Sequence, residues 1–440
     1  MPTGWMRLSL YMITFVTFMS GCSGSGGGSS SGDSNTTGGT SPLLLTSVVY
    51  DDNKTAATGD DRLDIYFNMP IDETSLPADI SSAFEITGAG AISADSLYSY
   101  SGGWTHRLRI AMGNLSTAFE AGVSEIALAQ EVIADENFEY PASYAAATVV
   151  APRIVLKTAQ TLSYAAGDDG DYQAGTAHNY ERNATTGIVT DLSRGLHWLD
   201  VNTIADATWT AAAAYCEGET AGNLFDWRLP GIEELAQLSE KNTSAPAIDG
   251  IFQNIAVGTG VFYWSDMPLV FNTSIAWSYS FDIFGYDSAE EPKTATQKVL
   301  CVEGAKSPDG EFIRNDLNGT VLDTTTGLLW QDNLSSAERS WSSAVSYCEG
   351  LDLSGFNDWR MPNYNELYLL AERSTSNPAI DGAFETNYIH SDAADIYWSS
   401  TSESATTTTA FGISFNSGDA VRNFKTDATT HYVRCVRNTP

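Results

Sequence analysis

Four cysteines could form covalent cross-links: Cys216, Cys301, Cys348 and Cys435. Cysteine thiols either oxidise in pairs to disulfides or bind a metal as thiolates. The chain has no C-x-x-C pair, which structural zinc sites favour, and only five histidines. An even number of cysteines therefore favours two disulfides, and three pairings are open at this point.

An internal repeat chooses between the three pairings. Gly195-Leu196-His197-Trp198 matches Gly327-Leu328-Leu329-Trp330, and Tyr215-Cys216-Glu217-Gly218 matches Tyr347-Cys348-Glu349-Gly350, both at an offset of 132 residues. Further along the offset is 134 residues, which pairs Cys301 with Cys435. Each copy thus has one early and one late cysteine. The repeat predicts the disulfides Cys216–Cys301 and Cys348–Cys435.

An acidic loop is a second place where residue types suggest chemistry. Asp168, Asp169 and Asp171 surround Gly170, and clustered carboxylates in a glycine-bearing turn suit calcium, the one cofactor that the sequence suggests. The loop lacks the spaced ligands of an EF-hand. A solvated turn is the alternative interpretation.

Several classes of enzyme can be identified by short sequence motifs around their catalytic residues. No GxSxG, HExxH or glycine-rich phosphate loop stands out, so the sequence predicts a protein that is not an enzyme. Isolated carboxylates leave a glycan-active enzyme as a remote alternative, because a glycosidase's acid pair need not be close in sequence.

The charge of the chain restricts its partners. With 22 Lys and Arg against 55 Asp and Glu, the formal net charge is -33. Phosphate backbones require a basic surface, so no nucleic-acid partner is expected.

The N-terminus predicts export and membrane anchoring. Arg7 followed by the apolar run Leu8 to Phe18 has the form of a signal peptide and is too short to span a bilayer. Met19-Ser20-Gly21-Cys22 resembles the lipobox of bacterial lipoproteins, which implies a lipid anchor on Cys22 and a membrane partner. In a Gram-negative host, Ser23 after the cysteine favours the outer membrane, with the protein facing the periplasm or the exterior.

Residues 23–43 and 44–150 differ sharply in composition. The first segment is mostly Gly, Ser and Thr and is expected to be a flexible linker after the signal peptide and lipobox, residues 1–22. The second alternates apolar and polar residues, as in Leu63 to Phe67, which predicts an all-β sandwich. The stretch from Phe67 to Leu76 resembles bacterial SbsA-type immunoglobulin-like (Ig-like) domains, which implies a spacer or stalk.

Each repeat is predicted to contain two helices followed by short strands. The first helix covers Trp209 to Glu217 and Trp341 to Glu349, after a Thr or Ser cap. The second is expected to begin near Pro230 and near Pro362, because proline suits a first helical turn. Helices followed by strands and pinned by a disulfide indicate an α+β fold.

The motifs of the second copy, from Asn318 to Arg437, include D-W-R-x-P-x-x-x-E-L, N-P-A-I-D, Y-W-S-S and Y-V-R-C-V-R. Together they resemble the C-terminal domain of the Legionella collagen-like adhesin, and the first copy matches less completely. The resemblance implies two α+β domains of C-type-lectin-like and formylglycine-generating-enzyme-like fold, at residues 155–304 and 305–440. It also implies an adhesin-like role that includes binding of sulfated glycans.

The cations of the second copy are the predicted ligand-binding residues, although a net charge of -33 would repel a sulfated polymer: Arg422, Lys425, His431, Arg434 and Arg437. The alternative is that these residues form salt bridges. A structural role in the core is predicted for the residues of the D-W-R motif and its glutamate: Trp227, Arg228, Glu234, Trp359, Arg360 and Glu366.

The sequence thus predicts a surface-exposed, non-catalytic lipoprotein whose repeats bind a glycan or a host or envelope protein. A structural or assembly role in the cell envelope is the alternative.

Overall fold

The computed structural model describes most of the chain after the linker, in the following ranges: residues 45–51, 61–67, 71, 75–101, 107–113, 116–119, 121, 124–129, 146–243, 245–282, 288–333, 337–385, 389, 391–392, 395–404 and 406–439. The predicted signal peptide, the Cys22 anchor and the linker lie outside the described residues, as does part of the stretch from Phe67 to Leu76. The described part is rich in β-sheet and contains several sheets and few helices.

The N-terminal part is one seven-stranded sheet in the order β3-β6-β7-β1-β2-β5-β4. The strands are β1 (Leu45–Asp51), β2 (Arg62–Phe67), β3 (Phe84–Thr87), β4 (Leu97–Ser101), β5 (Arg107–Ala111), β6 (Glu125–Leu128) and β7 (Ala147–Val150). The β1–β7 pair is parallel and the other pairs are antiparallel. Leu63, Ile65 and Phe67 alternate along β2 and enter the core of this sheet, as their spacing predicts.

The opposite face of this sheet packs on the second repeat. Val49 and Tyr66 share a hydrophobic cluster with Leu322 and Leu329. Ser47 Oγ donates a 2.6 Å hydrogen bond to the Glu311 carboxylate. Both faces of β2 are therefore buried, and the N-terminal sheet belongs to the same compact unit as the repeats instead of standing apart as a spacer.

Each repeat has a three-stranded meander before its helices, which the sequence did not predict. In the first repeat the meander is β8 (Tyr180–Arg182), β9 (Ile188–Asp191) and β10 (Leu196–Leu199), and β14 (Val302–Glu303) joins it from the end of the repeat. In the second it is β15 (Phe312–Asn315), β16 (Thr320–Asp323) and β17 (Leu328–Gln331), joined by β21 (Val436–Asn438). The G-L-x-W motif of both copies lies on β10 and β17.

A second sheet of three antiparallel strands completes each repeat. It consists of β11 (Tyr263–Leu269), β12 (Asn272–Tyr279) and β13 (Ser288–Pro292) in the first copy, and of β18 (Tyr397–Ser402), β19 (Thr409–Ile413) and β20 (Ala420–Phe424) in the second. Five α-helices occur in the described residues: α1 (Asp169–Tyr172), α2 (Trp209–Glu217), α3 (Ile232–Leu238), α4 (Trp341–Glu349) and α5 (Tyr364–Leu370).

The predicted helix starts are correct for α2 and α4, and α3 and α5 begin near Pro230 and Pro362 as predicted, but the role predicted for proline needs a correction. Pro362 precedes the N-cap residue Asn363 and is not in the first helical turn. The start is fixed by a capping box in which the Asn363 N–H donates to Glu366 and the Glu366 N–H donates to Asn363 Oδ1, both at 2.9 Å. In the first copy the Gly231 N–H donates to Glu234 at 2.7 Å in the same way.

The two disulfides confirm the pairing that the repeat predicts. Cys216 bonds Cys301 and Cys348 bonds Cys435, with sequence separations of 85 and 87 residues. All four cysteines are fully buried. Each bond therefore ties the first helix of its repeat to the segment before the last strand.

The two repeats pack against each other through α3 and α5, whose apolar residues share one core. Lys241 and Arg373 occupy equivalent positions of the two copies, and each reaches into the other copy. The Lys241 ammonium lies 4.3 Å from the centroid of the Tyr364 ring, and Arg373 Nη1 is 3.2 Å from a Glu233 carboxylate oxygen. The contact is therefore made by the same surface of both copies.

A connector, residues 151–178, runs between the N-terminal sheet and the first strand of repeat one and contacts both repeats. The Leu156 N–H donates to Gln237 of α3, and the Leu156 carbonyl accepts from Asn365 of α5. Leu156 is fully buried. The sequence places the first copy from residue 155 onward, whereas the Gln160 carboxamide accepts from the Ser402 N–H of the second copy. Arg153, which precedes that predicted boundary, also bonds to the second copy through its N–H.

Candidate functional site

Arg434, one of the predicted ligand-binding cations, lies inside the second repeat. Its side chain is 4% exposed and donates to the Asp332 carboxylate at 2.6 Å and to the Gln331 carbonyl at 2.7 Å. Arg314 pairs with the same carboxylate from the other side. This corrects the prediction of ligand binding for Arg434, because a buried ion pair cannot turn outward without leaving the Asp332 charge uncompensated.

Arg437 is also part of the fold. Its guanidinium donates to both oxygens of Asp358, at 2.7 and 3.1 Å, and lies 3.8 Å from the centroid of the Phe356 ring. The hydrogen bond from Arg437 holds the pKa of the Asp358 carboxyl below its usual range. With a side chain 5% exposed, Arg437 likewise does not present its charge to a ligand.

The other predicted cations lie near a different sheet, so the five do not form one basic surface. Arg422, on β20, is 2.8 Å from a Glu403 carboxylate oxygen. The His431 ring stacks edge-on against Trp398 with centroids 4.6 Å apart, and burial lowers the pKa of this histidine. These two side chains are committed to neighbours in the same repeat.

Lys425 is the predicted residue with the chemistry and exposure of a binding site. It follows β20 directly, and its ammonium donates to Ser402 Oγ at 2.8 Å. The ammonium lies 4.3 Å from the ring centroid of Trp341 and 5.9 Å from that of Tyr164. Partial burial lowers its pKa from 10.5 to about 8, against an opposing influence of Asp168. A protonated amine among aromatic rings and a hydroxyl can bind an acidic or hydroxyl-rich group.

The helix α4 positions this site. Trp341 is the first residue of the helix, and its indole N–H donates to the Ser399 carbonyl of β18 at 2.9 Å. The indole is thereby fixed between helix and sheet, with its face toward the lysine. Because Trp341 is only 3% exposed, it supports Lys425 and is not itself a contact surface.

The first repeat contains the same arrangement, which sequence reasoning missed. The Lys293 ammonium lies 3.9 Å from the ring centroid of Trp209, and the Trp209 indole N–H donates to the Ser265 carbonyl at 2.8 Å. A signal was present in the sequence. Lys293-Thr294 and Lys425-Thr426 are again 132 residues apart, as are Trp209 and Trp341.

The acidic loop is not a calcium cage. Asp169 Oδ2 accepts from the hydroxyls of Thr158 and Thr401, Asp168 Oδ2 accepts from Gln160, and Asp171 accepts from the Gly167 N–H. Throughout the described residues, no three His, Cys, Asp or Glu side chains are grouped so as to hold a metal ion. The three carboxylates hold the short helix α1 in place instead, which differs from both the calcium and the solvated-turn interpretations.

The residues of the D-W-R motif lie where a structural role requires. Trp227 and Trp359 are each 1% exposed. Arg228 binds both carboxylate oxygens of Glu234 at 2.7 Å, and Arg360 binds those of Glu366 at 2.7 and 2.6 Å. Each arginine therefore clamps the glutamate that caps the second helix.

In the described part of the chain, no helix combines the length and the apolar character needed to cross a bilayer.

Comparisons with known proteins assign the repeats to a family. A search among curated proteins gives no match. The model of the Lcl C-terminal domain matches residues 187–303 and 319–437, which together make up more than half of the chain. The chain therefore belongs to the Lcl C-terminal domain family and carries two tandem copies of that domain.

Proposed function

We propose that this protein is a non-catalytic surface lipoprotein that binds a glycan or protein ligand through its Lcl domains, with the Lys425 site as the main contact. In this proposal the N-terminal sheet is an Ig-like module and the two repeats are C-type-lectin-like modules. The membership of an adhesin-like family fits a surface-binding role.

The observation that carries the proposal is the repeated lysine-on-tryptophan arrangement. Lys425 and Lys293 lie over indole rings at 4.3 and 3.9 Å in the two copies. The buried Arg434 and Arg437 form ion pairs with carboxylates, whereas Lys425 has a neutral hydroxyl partner, Ser402. A carboxylate or hydroxyl of a ligand can replace that weak partner without breaking an ion pair.

The charge of the chain restricts the ligand. At a net charge of -33, a long polyanion would meet repulsion over most of the surface. A short glycan with one acidic group, or a basic protein that also offers a carboxylate near Lys425, avoids that repulsion. We therefore propose ligands of these kinds in place of a sulfated polymer.

Anchoring at the outer membrane is part of the same proposal. Met19-Ser20-Gly21-Cys22 and the following Gly- and Ser-rich linker support a lipid on Cys22 and a tether to the compact part. Such a tether would leave the domains free to meet ligands near the membrane.

A glycan array probed with the full chain in detergent tests the proposal. We expect reproducible binding that is lost in Lys425→Met and retained in Lys298→Met, a matched change of a partly exposed lysine that pairs with Asp206 elsewhere. Binding should be unchanged by a calcium chelator. A flat array together with a co-purifying envelope protein would favour the alternative role in envelope assembly.

A further inference from the structure

Two clefts meet where the N-terminal sheet, the connector and the repeats come together. Their volumes are about 340 and 350 Å³, at the lower end of the range of small-molecule sites. They share the walls formed by Asp51, Pro152, Ile154 and Thr176. Neither cleft includes Lys425.

The charge of these clefts is opposite to that of the chain. Among the described residues, six cations and only three carboxylates line them. Arg62 and Arg109 pair with two of the carboxylates, Asp51 and Asp64. The third, that of Glu366, is bound by Arg360, which does not line either cleft. The remaining cations of the 340 Å³ cleft therefore lack an opposite charge.

These cations are Arg107 and Arg153, which are 5% and 9% exposed. Arg107 comes from β5 and donates weakly to Thr439 Oγ1 at 3.4 Å, and Arg153 donates to the Leu369 carbonyl at 2.9 Å. In the described residues neither forms a salt bridge, and the Nε–H of each is buried without a hydrogen-bond partner. A buried guanidinium without a counter-charge is expensive, so two in one cleft require an explanation.

In the adjoining cleft one arginine has a counter-charge but is incompletely hydrogen-bonded. Arg194 pairs with Asp191 through Nε, but its two terminal nitrogens are buried and have no hydrogen-bond partner. Its side chain is 6% exposed. Three arginines with buried nitrogens that lack a hydrogen-bond partner thus line one pair of connected clefts in a chain of net charge -33.

We propose that the 340 Å³ cleft binds a small molecule through an oxyanion group, a carboxylate, phosphate or sulfate, held by Arg107 and Arg153. Arginine recognises such groups through several N–H donors at once. Hydroxyl side chains in the lining, including Thr176 and Thr326, suit the same chemistry. Because Arg107 belongs to the N-terminal sheet and the Thr326 wall to the second repeat, the bound anion would also tie these two parts together. This site is independent of the proposed ligand site at Lys425.

Thermal unfolding of the full chain in detergent tests the proposal, with phosphate, sulfate and citrate each compared with chloride at equal ionic strength. A saturating ligand should raise Tm by roughly 3–5 °C, and the anion with the largest saturable shift identifies the preferred group. Arg107→Met and Arg153→Met should abolish the shift. Lys298→Met, which removes one positive charge far from the cleft, should preserve it.

The change in Tm of the variants without ligand shows whether the arginines bind an anion or only pack in the fold. In chloride alone, Arg107→Met should have the same Tm as the wild type or a higher one, since it removes an uncompensated buried charge. A fall in Tm in chloride together with an undiminished anion shift would show that Arg107 only packs. If the Met variants do not fold, a 31P NMR titration of the wild type with inorganic phosphate and calorimetric titrations with sulfate and citrate decide. Saturable binding of any one supports the site, and absence of binding for all three overturns it.

Discussion

Replacing Asp169 by asparagine should change how the stability of the protein depends on pH. Asp169 is 1% exposed and accepts from the Thr158 and Thr401 hydroxyls, which joins the connector to β18. Burial raises the pKa of this carboxyl from 3.8 to about 6, although the two hydroxyls oppose the change.

The sign and size of the effect follow from linkage. The folded protein holds the Asp169 proton more tightly than the unfolded chain, so it binds more protons between pH 4 and 6, and stability falls as pH rises through this window. A shift of about two pKa units corresponds to about 3 kcal/mol. This contribution is fully present below pH 4 and is lost above pH 6.

Asparagine does not titrate, so Asp169→Asn should lack this decline. We expect the free energy of unfolding of the variant, relative to that of the wild type, to rise by about 3 kcal/mol between pH 4 and 7.5. Urea unfolding at half-unit steps of pH measures it, followed by tryptophan fluorescence.

The matched control is Asp171→Asn, which makes the same change of charge at an exposed neighbour on the same helix. Parallel profiles for Asp169→Asn and the wild type would refute the reasoning, because they would mean that Asp169 titrates alike in the folded and unfolded states.

Three further predictions concern the Lys425 site, the helix clamps and a disulfide. Binding of acidic ligands to the wild type should weaken as pH rises through about 8, where Lys425 loses its proton. The Lys425→Arg variant should still bind at pH 9. An equal loss of binding in the wild type and the variant would contradict the role of Lys425. The Arg360 side chain is 7% exposed, and Arg360→Met should lower the free energy of unfolding by about 3–5 kcal/mol. The Arg228 side chain is 22% exposed, so Arg228→Met should lower it by less. The urea midpoints of the two variants should show this order. Replacing both cysteines of the Cys348–Cys435 bond by alanine should cost about 4 kcal/mol, since a loop of 87 residues is no longer closed; an unchanged Tm would contradict this.

Covalent and local features of the fold could be predicted from the sequence. The disulfide pairing followed from the repeat offset, and α2 and α4 have the predicted bounds. Thr208 and Ser340 occupy the N-cap positions as predicted, although neither side chain accepts a capping hydrogen bond. Arg360 and Glu366 are six residues apart within one motif, so the sequence shows both partners of this ion pair together.

Features that depend on distant segments could not be predicted. Arg434 was predicted to bind a ligand because its ion-pair partner, Asp332, is 102 residues away and no local sequence pattern indicates the pair. The meanders were missed because strands of three or four residues carry little periodic signal. Packing of the N-terminal sheet on the second repeat depends on Tyr66, whose apolar character could equally have served the sheet's own core.

The contact between α3 and α5 has a genetic consequence. A dimer of identical subunits must carry every interface substitution twice, once in each half, so its two sides cannot adapt separately. In this protein both halves of an equivalent contact are encoded in one chain. Lysine stands at position 241 and arginine at position 373, and they meet an aromatic ring and a carboxylate respectively. Encoding both copies in one gene thus allows the two sides of this contact to differ, and it lets one copy change its ligand site while the other keeps the pair assembled.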